Sequence, residues 1–125
     1  MIIKDKIFTS FAVNDLQKAE DFYTEVLGLK LTKNKMGLLE IASGPGGRLI
    51  IYPKPDHTPA SFTVLNFPVE NIYEAVEALE KKGVKFEHYD GNIKTDEKGI
   101  SRAEGRPSVA WFKDPSGNIL SVIEE

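Results

Sequence analysis

The chain contains no cysteine and only two histidines, His57 and His88. The first absence excludes disulfides, thiolate zinc sites and cysteine nucleophiles. The second leaves few groups for metal binding or for proton transfer near neutral pH. Positive charge is not in excess either: 16 Lys and Arg stand against 19 Asp and Glu, a net charge of -3. Such a balance offers nucleic acid no basic footprint, and no nucleic-acid partner is expected. Lys33, Lys35 and the Lys81-Lys82 pair read as solvated surface. Long apolar runs are missing as well. Met1 to Lys6 is too short a run for a signal peptide, and nothing approaches a membrane span. A cytoplasmic protein without a membrane partner is the expectation.

What is present is globular and repeated. With 125 residues, 41% hydrophobic and 28% charged, the chain is expected to form one domain, residues 1–125. Phe11, Val13, Asp15, Leu16 and Ala19 recur at a constant offset as Phe67, Val69, Asn71, Ile72 and Ala75. Gly28-Leu29-Lys30-Leu31 then returns as Gly83-Val84-Lys85-Phe86 after a one-residue gap. A repeat of this length implies two similar supersecondary units with a cleft between them. Module one is expected at about 4–53, a linker with two prolines at 54–61, and module two at about 62–124.

Each module reads as βαβββ. Residues 7–13 alternate with strand period, Asn14-Asp15 supplies a helix cap, and Leu16, Ala19, Phe22, Tyr23, Val26 and Leu27 form an apolar stripe that Gly28 ends. Strands are expected at 29–34, 36–42 and 47–53. In module two a strand at 62–69 precedes a helix lined by Ile72, Ala75, Val76 and Leu79, and a strand at 84–89 follows Gly83. A polar stretch, 90–106, leads into a hairpin whose turn is Asp114-Pro115-Ser116-Gly117-Asn118.

Val13-Asn14-Asp15-Leu16, Phe22-Tyr23, Leu27-Gly28-Leu29 and Phe112-Lys113-Asp114-Pro115-Ser116-Gly117-Asn118, in this order and spacing, resemble the vicinal oxygen chelate superfamily. This is the group of glyoxalase I, bleomycin-resistance proteins and extradiol dioxygenases, and the resemblance covers about residues 7–124. It implies an α+β fold in which two βαβββ modules form an open, curled mixed β-sheet bowl, and it suggests a homodimer. It also implies, for the enzymes, a divalent metal held by four His, Glu or Gln side chains.

The positions that the resemblance assigns to those ligands carry other residues. They are Phe8, Val64, Ser121 and one of Ile50, Ile51 or Tyr52. None offers a carboxylate, imidazole or carboxamide, so no metal and no other cofactor is expected. Glu40, His57, Glu87, His88, Asp90 and Glu124 are the remaining candidate donors, and each reads as surface or turn chemistry.

Alternation predicts the lining of the bowl instead. Phe8 and Ser10, Ile50 and Tyr52, Phe62, Val64 and Asn66, and Ser121 with Ile119 should face inward, and Trp111 should too if Phe112 packs on the helix. That wall is aromatic and aliphatic with a few hydroxyls and one amide, the composition of a small-molecule pocket. Arg102 and Arg106 are in reach of an anionic ligand at its mouth. The expected function is binding of a small, largely apolar or aromatic molecule in the bowl between the two modules, without a metal. Two alternatives stand beside it: a bowl filled by its own side chains, and a lyase, isomerase or dioxygenase with an atypical metal or acid–base site in which Tyr52 or His88 acts.

Overall fold

Asp15 and Asn71, which close the two repeated alternations, cap the two helices. The Asp15 carboxylate accepts from Lys18 N and the Asn71 carboxamide oxygen accepts from Glu74 N, each at 3.0 Å, which satisfies an otherwise orphaned amide of the first turn. The computed structural model describes all residues, 1–125, and divides into two compact units, Met1–Thr58 and Pro59–Glu125.

In the first unit, β1 (Thr9–Val13) leads into α1 (Leu16–Asp21), which widens into a π-helical turn over Phe22–Val26. Leu27 N donates to Phe22 O at 3.1 Å, and Leu29 N reaches back to Tyr23 O at 2.9 Å around Gly28, whose φ is 70°. A left-handed residue there is the usual helix stop. Three strands follow: β2 (Thr32–Lys33), β3 (Leu39–Ala42) and β4 (Arg48–Pro53), in the sheet order β1-β4-β3-β2 with β1 and β4 parallel. Phe11, Val13, Leu39, Leu49 and Ile51 share one face and are buried with Ala19 and Tyr23. The Tyr23 ring lies 6.1 Å from that of Phe11.

The strands expected at 29–34 and 36–42 are shorter than the alternation predicts. The Asn34 side chain accepts from Met36 N at 2.9 Å and from Leu38 N at 3.0 Å. This side-chain turn takes backbone that the ladder would otherwise use.

The second unit repeats the plan with β5 (Thr63–Pro68), α2 (Ile72–Lys81), β6 (Ile100–Ser101), β7 (Ser108–Lys113) and β8 (Ile119–Glu124), in the order β5-β8-β7-β6. Its core is Ile72, Val76, Phe86, Ile100, Ala110, Phe112, Leu120 and Val122. The predicted strand at 84–89 is replaced here. Phe86 keeps a single bridge to Phe112, with Glu87 N donating to Trp111 O at 2.8 Å. The edge position passes to β6, inside the stretch 90–106. The Asp96 carboxylate makes that possible by accepting from Lys98 N and Ile100 N, at 2.8 and 2.9 Å, and so folding the chain back onto β7. Ile100 is then buried at 1% exposure, a gain of about 2 kcal/mol that a polar stretch does not advertise.

The closing hairpin matches its sequence reading. Asp114 Oδ1 accepts from Ser116 N and Asn118 N, both at 2.9 Å, and Asn118 Nδ2 donates to Asp114 Oδ2 at 3.0 Å. The architecture is therefore α+β, with two four-stranded mixed sheets, each open at its edges. No helix is long and apolar enough to cross a membrane.

Candidate functional site

The second sheet builds a row of three residues across its strands. Trp111 pairs with Ser121 and Ser121 with Asn66, and Ser121 Oγ donates to Asn66 Oδ1 at 2.5 Å. Alternation along β7 buries Phe112 against Phe86, with ring centroids 5.5 Å apart, and turns Trp111 the other way. Trp111 Nε1 donates to Thr63 Oγ1 at 3.0 Å, which fixes the indole plane. The ring of Tyr89 meets it edge-on, 5.6 Å between centroids at 74°.

Around Trp111 lies a recess of about 470 Å³, lined by Phe62, Thr63, Tyr89, Ile93 and Ile119 together with Ser61, Gly91 and Asn92. This volume is within the range of small-molecule sites. Phe62 is 67% exposed and Ile93 44%, so apolar surface faces solvent on both sides of the opening. Burial, with the Glu87 carboxylate adding to it and Lys113 opposing it, raises the Tyr89 phenol above its ordinary value of 10.0. The phenol is thus a neutral group at physiological pH.

The wall that carries Tyr89 and Ile93 is a narrow hairpin. Tyr89 N donates to Thr95 Oγ1 at 2.8 Å, Thr95 N donates to Tyr89 O at 3.0 Å, and Asp90 bridges Lys94. A second recess of about 220 Å³ is lined by the same Gly91, Asn92 and Ile93, together with Lys94, Ser101, Arg102, Ala103 and Arg106.

The residues singled out in the sequence are distributed as follows. Phe62 and Trp111 line the apolar recess, Arg102 and Arg106 line the polar one, and Asn66 and Ser121 bond to each other. Val64 lines neither recess. The pairing of β5 with β8 shifts register between Thr63 and Leu65, so strict alternation breaks there and Thr63, not Val64, stands beside Trp111. In the first unit Ser10 pairs with Ile50, and Ile50 in turn with Glu40, while Tyr52 pairs with Ala12. Phe8 precedes β1, half exposed, with the Arg48 guanidinium 3.9 Å above its ring. Tyr89, Ile93 and Thr63 were not among the expected site residues. The run Phe86-Glu87-His88-Tyr89 ahead of Asp90-Gly91-Asn92 carries the only local signal for them, an aromatic placed just before a turn.

A divalent metal does not fit the donors present. Phe8, Val64 and the Ile50–Tyr52 stretch bring no carboxylate, imidazole or carboxamide, and Ser121 is engaged with Asn66. No three His, Asp or Glu side chains gather to hold an ion. His57 Nε2 is secluded from solvent and has no hydrogen-bond partner, but it stands without companions of its kind.

The family model described as Glyoxalase/Bleomycin resistance protein/Dioxygenase superfamily matches residues 7–122. A lactoylglutathione lyase of Escherichia coli O157:H7 is 28% identical over 132 residues, covering 95% of this chain and 91% of that protein. Among solved structures, an antibiotic binding protein from a Streptomyces species superposes with a TM-score of 0.64 at 25% identity, covering 94% of each chain. A genomically encoded fosfomycin resistance protein from Listeria monocytogenes reaches 0.70 at 13% identity, covering 95% of this chain and 91% of its own, a likeness of fold alone.

Proposed function

The chain belongs to the Glyoxalase/Bleomycin resistance protein/Dioxygenase superfamily, and on that premise we propose that it binds a small, largely apolar or aromatic molecule beside Trp111, without a metal. One observation carries the reading: Phe62, Tyr89, Ile93 and Trp111 stand partly in water around a recess of about 470 Å³. Exposed apolar side chains around a concavity favour an apolar guest, because each gains from leaving water. Trp111 and Tyr89 offer an aromatic face and edge for stacking. Thr63, Ser61 and Asn92 add a few polar groups to orient it.

The mechanism is capture. No side chain is asked to break a bond, and affinity comes from desolvation and stacking. The likeness to an antibiotic binding protein supports the same reading. A homodimer and a cytoplasmic location complete it, and light scattering on the purified protein tests the first.

The chain has one tryptophan, so its emission reports on the recess alone. Titration with aromatic compounds and antibiotics should quench or shift Trp111 emission with saturable, one-to-one behaviour. A broad library that leaves the emission untouched refutes the proposal.

The rival reading is a lyase, isomerase or dioxygenase with an atypical site, and it draws support from the 28% likeness to lactoylglutathione lyase. Stoichiometric zinc, nickel, manganese or iron in protein purified without chelator would favour it.

A further inference from the structure

The polar recess beside the apolar one differs from the rest of the surface. Four cations elsewhere have carboxylate partners: Lys33 with Glu20, Lys54 with Asp56, Lys98 with Glu77 and Glu80, and Lys113 with Glu87. The smaller recess is lined by Lys94, Arg102 and Arg106 and by no Asp or Glu. Lys94 and Arg106 enter no ion pair. Arg102 makes one loose contact, from its Nε to Asp96 Oδ2 at 3.7 Å, and is half exposed. Three cations thus converge on about 220 Å³ in a chain whose net charge is -3. Gly91, Asn92 and Ile93 line both recesses, so the two open on one turn.

We propose that the ligand is an aromatic or apolar molecule bearing an anionic group, a carboxylate, sulfonate or phosphonate. Its ring lies against Trp111, and its charge lies across the 91–93 turn with Lys94, Arg102 and Arg106. This rests on the reading of the apolar recess as a binding site and adds to it the charge of the guest. The guanidinium forks of Arg102 and Arg106 suit the paired oxygens of such groups, and Lys94 adds a point charge. Ser101 supplies a hydroxyl to the same wall. Lys94 and Arg106 have no carboxylate to give up when an anion arrives, and Arg102 has only its loose contact with Asp96 to exchange.

Two fluorescent probes that share an aromatic body test the charge. Anilinonaphthalene sulfonate carries an anion and phenylnaphthylamine carries none. At low salt the sulfonate should bind the native protein roughly five- to tenfold more tightly than the neutral probe. The double variant Lys94→Gln, Arg106→Gln should weaken the sulfonate about tenfold while leaving phenylnaphthylamine within about twofold, which also shows that the variant is folded. Equal affinities for the two probes, or a variant that treats both alike, would overturn the proposal while sparing the apolar site. Failure of the neutral probe to bind the native protein would sink both.

Discussion

Removing the Asp114 carboxylate should cost this fold more than any other single change in its turns. Asp114 is 4% exposed and Asn118 2%, and three donors point at the carboxylate: Ser116 N and Asn118 N at 2.9 Å and Asn118 Nδ2 at 3.0 Å. Hydrogen bonds to a charged group are each worth about 1.5–3 kcal/mol net, and a buried donor left unpaired costs about as much again. The three share one acceptor group, so they do not add independently. Asp114→Ala is expected to lose about 3–4 kcal/mol, whereas Asp114→Asn should lose about 1–2. The amide keeps an oxygen for the two backbone amides but turns its NH2 toward Asn118 Nδ2. For a chain of 125 residues the alanine variant should melt about 10 °C lower. Thermal unfolding followed by circular dichroism and by Trp111 emission, which reports on the strand entering this turn, measures both variants. An alanine variant within about 0.5 kcal/mol of the native protein would refute the accounting, as would an asparagine variant as unstable as the alanine one.

Three further outcomes follow from the same geometry. Gly99→Ala should destabilise by about 2–3 kcal/mol in urea unfolding, because its Cβ would lie 2.9 Å from Phe86 Cβ at a φ of 85°; Gly83→Ala, positive in φ but facing open space, should cost about 1. The bond from Lys98, aided by Tyr73, holds the Glu77 carboxyl below its ordinary value of 4.5. A lowered folded value means stability present at neutral pH and lost as pH falls through the acid range, so Glu77→Gln should flatten the acid limb of a stability–pH curve, and an unchanged limb would discount the bridge. Thr63→Val removes the acceptor of Trp111 Nε1; stability should fall by about 1 kcal/mol and the emission maximum should move, while affinity for a neutral aromatic probe changes less than about threefold.

What could be read in advance divides along the range of the interactions. The caps at Asp15 and Asn71, the glycine stops and the Asp114 turn are set within a few residues, and each is found where the sequence shows it. Pairing is a choice made at a distance. Phe86 and Ile100 both suit the edge of β7, and the bond that Ile100 N donates to the Asp96 carboxylate gives most of that edge to a two-residue strand in a polar stretch. The local alternation at 84–89 contains nothing that predicts it.

The same distinction decides the site. Trp111 was legible from parity along β7 and Phe62 as a large apolar side chain just before β5, both local facts. Thr63 was not, since the register shift between Thr63 and Leu65 brings Thr63 to the face that alternation from Asn66 assigns to Val64, and a β-bulge leaves no mark in composition. Tyr89 and Ile93 reach the recess only because Thr95 closes their hairpin from six residues away. The recess beside Trp111 is therefore assembled at two places where regular alternation fails, a bulge on one wall and a side-chain-closed turn on the other. A position held by such irregular backbone is supported by few ladder bonds, which leaves room for a guest between walls that a continuous sheet would bring together. Restoring regular pairing at Thr63–Leu65 should thus narrow the recess and weaken aromatic binding without loss of stability, the reverse of what a core defect would do.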